Sequence, residues 1–269
     1  MNKGYMWFAQ NNDKTDYIKL SVELAKSIKS HNKENLVCII TDKKSLPTNK
    51  KWFDVIKILK HDDSKDMKWK MANEHRAFSY TPFTHTIKLE ADMLFTQSTD
   101  WWWDILCQHD MVFSYNCLNY KDEIIKQTPY RKLFEQNSLP NIYNGLTYFR
   151  RSKRAQEFYD ICQNLTLNWQ ETKNKFLINC HDEEPTTDII YSLALKIQDP
   201  LQENKIDYAW FKFIHGKPFI NKIPGNMEQY NYLYPYKINK KTYLGGKSID
   251  RIWHYHDKNM IDTLYDRVF

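Results

Sequence analysis

The chain has 269 residues, 42% of them hydrophobic and 15% aromatic, and a formal net charge of +6. That length and apolar content can bury a substantial core and exclude wholesale disorder, and no run approaches the roughly 18 apolar residues of a membrane span. Residues 1–10 turn polar too soon for a signal peptide, and five scattered cysteines (Cys38, Cys107, Cys117, Cys162, Cys180) argue against a disulfide framework or zinc knuckle, so a reducing, cytoplasmic setting is expected.

Residues 5–9 read as a first strand, with polar Gln10, Asn11, Asn12 and Asp13 at its carboxyl end. Ile18, Val22, Ala25 and Ile28 then recur at helical spacing, with Asp16 as the cap. Residues 36–41 are a continuous apolar run ending at Asp42, as expected for a strand covered on both faces. A third strand is expected over 53–59, a helix over 68–80 stopped by Pro82, and a strand over 86–89 that delivers Glu90 and Asp92. Residues i and i+2 of a strand share a face, so these two carboxylates can converge on one hard cation, Mg²⁺ or Mn²⁺, while Ala91 packs the other way. The alternation of strands and helices predicts an α/β fold. In open sheets of that kind ligands sit beyond the carboxyl ends of the strands, where Gln10, Asp42, Glu90 and Asp92 all fall.

Beyond Asp92, a short helix is expected over 101–106, a strand over 111–115 and a polar connection over 116–140. Asn144 and Gly145 read as a turn before a strand, and a helix should run from 152 to 165. Pro185 suits the first position of a helix running through Ala194, which puts Glu184 at its cap and Asp188 one turn on. The last third is aromatic-rich and irregular, with a strand over 251–258 that places His254 and His256 on one face. No Gly/Ser-rich linker or internal repeat occurs. A single domain over 1–269 is therefore expected, with halves 1–115 and 116–269.

In order, Ala9-Gln10-Asn11 with Tyr17 behind it, the run from Ile87 through Glu90-Ala91-Asp92-Met93, Tyr143-Asn144-Gly145, Asp182-Glu183-Glu184-Pro185 and His254-Tyr255-His256-Asp257-Lys258 resemble the GT-A fold of nucleotide-sugar-dependent glycosyltransferases. The likeness is nearest to the family 8 group that includes glycogenin and lipopolysaccharide galactosyltransferases. It implies a Rossmann-like mixed sheet flanked by helices, with an irregular C-terminal part. It also implies a UDP-sugar donor, Mn²⁺ or Mg²⁺ as cofactor, and retention of configuration. By that resemblance Asp92 is a metal ligand, and Glu90, in place of the family's first aspartate, meets metal or ribose. A C-terminal histidine, His254 first and His256 second, completes the metal site. Lys258 resembles the family lysine on the diphosphate, although the family's glycine is missing and the spacing is shorter. Ala9 and Gln10 would meet base and ribose, Tyr17 would stack on uracil, and Arg76 would bridge donor groups. Asn144 would line the sugar, with Asp188, then Glu184, as the acidic groups at the reaction centre.

Two other classes compete. A nucleotidyltransferase would want a Gly-rich basic loop near the N-terminus, and Gly4 alone does not supply it. A non-catalytic glycan- or nucleic-acid-binding module would use the aromatics as stacking platforms, but leaves the acidic strand ends unexplained. For the acceptor, residues 262–269 lack the basic amphipathic pattern of a membrane-surface tail. The basic clusters 237–241 and 150–154, the abundant aromatics and a phage-like composition favour double-stranded DNA bearing hydroxymethylated cytosine, with a lipopolysaccharide or other glycan as the alternative.

Overall fold

The structure, a computed structural model, describes residues 2–67, 70–126, 128–222 and 233–261. Residues 68 and 69, where a helix was expected to begin, and the tail 262–269 lie outside these. The first half comprises β1 (Lys3–Phe8), α1 (Tyr17–His31), β2 (Leu36–Thr41), β3 (Val55–Ile58), α2 (Ala77–Tyr80), β4 (His85–Leu89), β5 (Met93–Leu94), α3 (Trp102–Leu106) and β6 (Met111–Tyr115). There follow β7 (Cys117–Leu118), β8 (Ile124–Ile125), α4 (Lys132–Gln136), β9 (Ile142–Arg150), α5 (Lys153–Leu167), α6 (Trp169–Phe176) and α7 (Thr187–Gln198). The last strands are β10 (Phe213–His215), β11 (Tyr236–Ile238), β12 (Lys241–Leu244), β13 (Lys247–Ile249) and β14 (Ile252–His254).

A six-stranded sheet in the order β3-β2-β1-β4-β9-β6 forms the centre, parallel except for β9. Its inner strands are buried on both faces because helices cover both. Along β1, Tyr5 and Trp7 pack with Leu24, Ala25 and Ile28 of α1, while Met6 and Phe8 join the opposite cluster with Phe158 of α5 and Ile190 of α7. Asp16 caps α1 as expected, accepting from the backbone N–H groups of Ile18 and Lys19 at 3.0 Å each. A second sheet, β5-β14-β10-β7-β8, is assembled from short strands on either side of the chain's midpoint, and β11-β12-β13 is a separate antiparallel meander. No helix of the described residues is long and apolar enough to cross a membrane.

Several expected elements differ. Within 68–80 the described residues hold only a 3₁₀ turn, Glu74–Arg76, and α2. Side chains there compete with helical backbone bonding: Ser64 Oγ accepts from the Ala72 N–H at 3.0 Å, and buried Asn73 donates to Asp62 Oδ1 at 2.7 Å and Gln10 Oε1 at 2.9 Å. Asn144-Gly145 is not a turn but lies inside β9, where pairing with β6 skips from Phe113↔Thr147 to Ser114↔Tyr143. The cap of α7 is Thr186 rather than Glu184, so Pro185 precedes the helix. The connection over 116–140 contains β7, β8 and α4, and the strand expected over 251–258 is confined to β14.

Arg76 is also elsewhere than expected. Its Nε and an Nη donate to Asp63 Oδ2 at 2.9 and 2.7 Å, with His75 Nε2 at 2.9 Å from the same oxygen. Burial pushes the Asp63 carboxyl up, but the hydrogen bonds from Arg76 and His75 outweigh it and hold it below its ordinary value. A carboxyl depressed in the folded state contributes stability above its unfolded pKa and loses it as pH falls through the folded value. Asp63→Asn should therefore cost about 1.5–3 kcal/mol in urea unfolding at pH 7. The difference from the unaltered protein should shrink as pH falls below about 4.

Candidate active site

β4 is central and wholly buried, so its polar continuation first reaches open space at its carboxyl end. There Glu90, Ala91 and Asp92 leave the strand in a turn before β5, which corrects the expectation that the two acids share a strand face. They converge all the same. β14 pairs antiparallel with β5, His254 opposite Met93, and the Tyr255 N–H donates to the Asp92 carbonyl at 3.1 Å. His254 Nε2 consequently lies 3.1 Å from Asp92 Oδ2 and 3.3 Å from Glu90 Oε2. One donor atom from each of Glu90, Asp92 and His254 falls within 4.8 Å of the others. Two carboxylates and an imidazole suit Mn²⁺ or Mg²⁺, with water or phosphate oxygens completing the shell. His256 is exposed beyond the end of β14 and stands outside this cluster.

The two acids are electrostatically unequal. Burial raises the Glu90 carboxyl against the pull of His254, and Asp92 and Asp188 add to the rise. Burial acts on Asp92 too, but His254 and Lys258 outweigh it and hold that carboxyl far below its ordinary range. Lys258 Nζ donates to the same Asp92 oxygen that faces His254.

The cluster opens into a cleft of about 620 Å³, within the range of small-molecule sites. Ala9, Gln10 and Tyr17 line it, as do Glu90, Asp92, Asn144, His254, His256 and Lys258. Arg76, Glu184 and Asp188 are not among its lining residues. The Gln10 amide is occupied, donating to Asp42 at 3.0 Å and Asp62 at 2.9 Å while accepting from Asn73. Burial, reinforced by Asp92 and Glu90, pushes the Tyr17 hydroxyl up to about 12, so the phenol stays neutral at the cleft wall. Asp188 sits just behind Asn144: Oδ1 accepts from the Asn144 backbone N–H at 2.7 Å and its side-chain amide at 2.9 Å, and Oδ2 from Arg131.

Sequence reasoning missed several neighbours. His215, at the end of β10, stacks on His254 with ring centroids 4.6 Å apart. Burial and the adjacent His254 hold His215 well below its ordinary pKa, so it stands as a neutral ring. Lys217 lines the cleft one residue beyond Gly216, where a Cβ would come within 2.9 Å of the His254 carbonyl. Glu74 lines it too and pairs with fully buried Lys88. The only signal for this pair was a lysine between the apolar Ile87 and Leu89 of a central strand.

This topology, with its acidic turn at the edge of a mixed sheet, is the GT-A fold of glycosyltransferases. A crystal structure of the galactosyltransferase LgtC with donor and acceptor sugar analogs matches over 94% of this chain and 87% of its own, at 11% identity and a TM-score of 0.53. An active-site mutant of LgtC matches over the same shares at 12% identity and 0.54. Mouse xyloside xylosyltransferase 1 in its apo form matches over 94% of this chain and 97% of its own, at 9% identity and 0.52. No family model and no curated protein matches the sequence.

The geometry separates the two histidines experimentally. In Mn²⁺ titration calorimetry, His254→Ala should weaken binding by more than about tenfold, whereas His256→Ala should leave it within about twofold of the unaltered protein.

Proposed function

We propose that the protein is a metal-dependent glycosyltransferase moving a sugar from a nucleoside diphosphate sugar, a UDP-sugar, to an acceptor hydroxyl on a glycan. One observation carries the reading: Glu90, Asp92 and His254 form a donor cluster at the carboxyl edge of a GT-A sheet, on the wall of a ligand-sized cleft. A divalent cation held there would supply neutralisation of the charge that develops on the departing diphosphate. Lys258 and Lys217 line the same cleft and add fixed positive charge beside it. Because Lys258 bonds the oxygen of Asp92 that also faces His254, a cation held there would compete with the ammonium for that atom and leave Lys258 available to phosphate.

The nucleoside is assigned to the wall formed by Ala9, Gln10 and Tyr17, with the neutral Tyr17 ring as the stacking surface. Both oxygens of Asp188 are engaged, by Arg131 and Asn144, so its assigned role is to fix Asn144 at the cleft wall rather than to take the acceptor's proton. Glu184 lies two residues before the α7 cap and receives no role. In this reading the chain works as one domain, residues 1–115 providing most of the donor site and 116–269 most of the acceptor site.

The glycan acceptor is preferred to hydroxymethylcytosine in DNA on the position of the basic clusters. Arg150 pairs across from His85, at the end of β4 remote from Glu90, and bonds Asp110 at 2.7 Å; Arg151 donates to the Phe83 and Thr81 carbonyls. Lys237 acts on His31, at the far end of α1 from the cleft. Neither cluster borders the cleft, so neither supports a duplex seated on it.

Incubation with individual UDP-sugars, with and without EDTA, should show UDP release that depends on Mn²⁺ or Mg²⁺, and no metal-dependent release with any donor would overturn the reading. Asp92→Ala should lower turnover by about 10³-fold or more with the fold intact by circular dichroism. Salt-dependent duplex binding together with transfer to hydroxymethylated DNA would restore the nucleic-acid acceptor.

A further inference from the structure

We infer that Lys88 is a positioning residue that sets the ligand geometry of Glu90 through Asn144. The inference rests on the metal-site reading above. Lys88 lies in the middle of β4, its side chain fully buried and its ammonium paired with the carboxylate of Glu74. The same nitrogen donates to Asn144 Oδ1 at 3.0 Å and to the Asn144 backbone carbonyl at 3.3 Å. An ammonium has donors only, so Asn144 must present its carbonyl oxygen to Lys88. Its NH₂ group is thereby turned the other way, donating to Glu90 Oε1 at 3.2 Å and Asp188 Oδ1 at 2.9 Å. A flipped amide would set an oxygen against two carboxylates and an NH₂ against an ammonium, three unfavourable contacts in place of three favourable ones.

The lock has a specific target. Glu90 carries one more rotatable bond than an aspartate in its place, and a ligand with that extra freedom loses more entropy on binding unless it is already held. Asn144 holds Oε1, which leaves Oε2 as the oxygen facing His254 and the metal position. Gly145 keeps the space open: a Cβ there would lie 2.9 Å from Glu90 Oε2. Arg131 steadies the other acceptor of the amide by bonding Asp188. Glu74 makes the arrangement tolerable in the core, because an uncompensated buried ammonium would be strongly destabilising.

The test is Mn²⁺ affinity measured by calorimetry on the full chain without donor. Lys88→Met alone strands the Glu74 carboxylate, so the informative variant is Glu74→Gln/Lys88→Met, which removes both buried charges together. It should bind Mn²⁺ about 10- to 100-fold more weakly than the unaltered protein. Asn144→Ala, which leaves the ion pair in place, should show a comparable loss, and combining the three substitutions should add little. Unaltered affinity in a folded Glu74→Gln/Lys88→Met protein would overturn the inference and leave the metal site standing. Additive losses would do the same by showing that Lys88 does not act through Asn144. Should the paired variant fail to fold, unaltered affinity in Asn144→Ala would overturn the inference by itself. A protein that binds no Mn²⁺ before any substitution would overturn the metal reading and this inference with it.

Discussion

Burial of β4 on both faces is the constraint from which the site follows. A strand in that position can hold polar groups only where they are paired or where the strand ends. Lys88 is the first case, neutralised by Glu74 beneath the site, and Glu90 with Asp92 is the second. The same strand therefore carries the acids and, two residues earlier, the cation that organises the residues around them. Neighbouring β9 extends past the end of β4 and, by its irregular pairing with β6, lays Asn144 and Gly145 over Glu90. The bulge serves a close approach of backbone to carboxylate, a common use of such irregularities near functional sites.

The second constraint is electrostatic. Glu90, Asp92, Asp188 and Glu74 gather around the inner end of the cleft, and Lys88, Lys217, Lys258, Arg131 and His254 are interleaved with them. Such a mixture differentiates similar groups by position. Asp92, beside His254 and Lys258, is held ionised against burial, whereas Glu90, raised by burial and further by Asp92 and Asp188, is pushed the other way. Two carboxylates separated by one alanine thus acquire different properties, one a firm anion and the other dependent on its supports.

The outline of the fold was legible because it rests on local pattern. The apolar run of β2, the cap at Asp16 and the periodicity of α1 are each written within a few residues, and burial on two faces leaves little else for them to form. Failures occurred where side chains took over the work of the backbone or where a distant strand set the geometry. The segment before Arg76 has helical composition, yet Ser64 and Asp62 capture polar groups of Ala72 and Asn73 from outside it. Asn144-Gly145 has the composition of a turn, but its glycine answers to Glu90, more than fifty residues away in the chain. Arg76 stands at a plausible helical position, and only the fold shows Asp63 already beside it.

By itself the sequence determined the α/β class, the central strands, and Asp92 as a carboxylate delivered at a strand end, since hydrophobic periodicity and strand termination act over short distances. Only the tertiary structure set His254, and not His256, beside Glu90 and Asp92, because that placement depends on the β14–β5 pairing and on where β14 stops. It alone brought Lys88, Glu74 and Asn144 into one network and carried Arg76, Glu184 and the basic clusters away from the cleft. The physical reason is range: propensity is local, but ligand convergence and charge compensation depend on distances in space that separate residues do not encode.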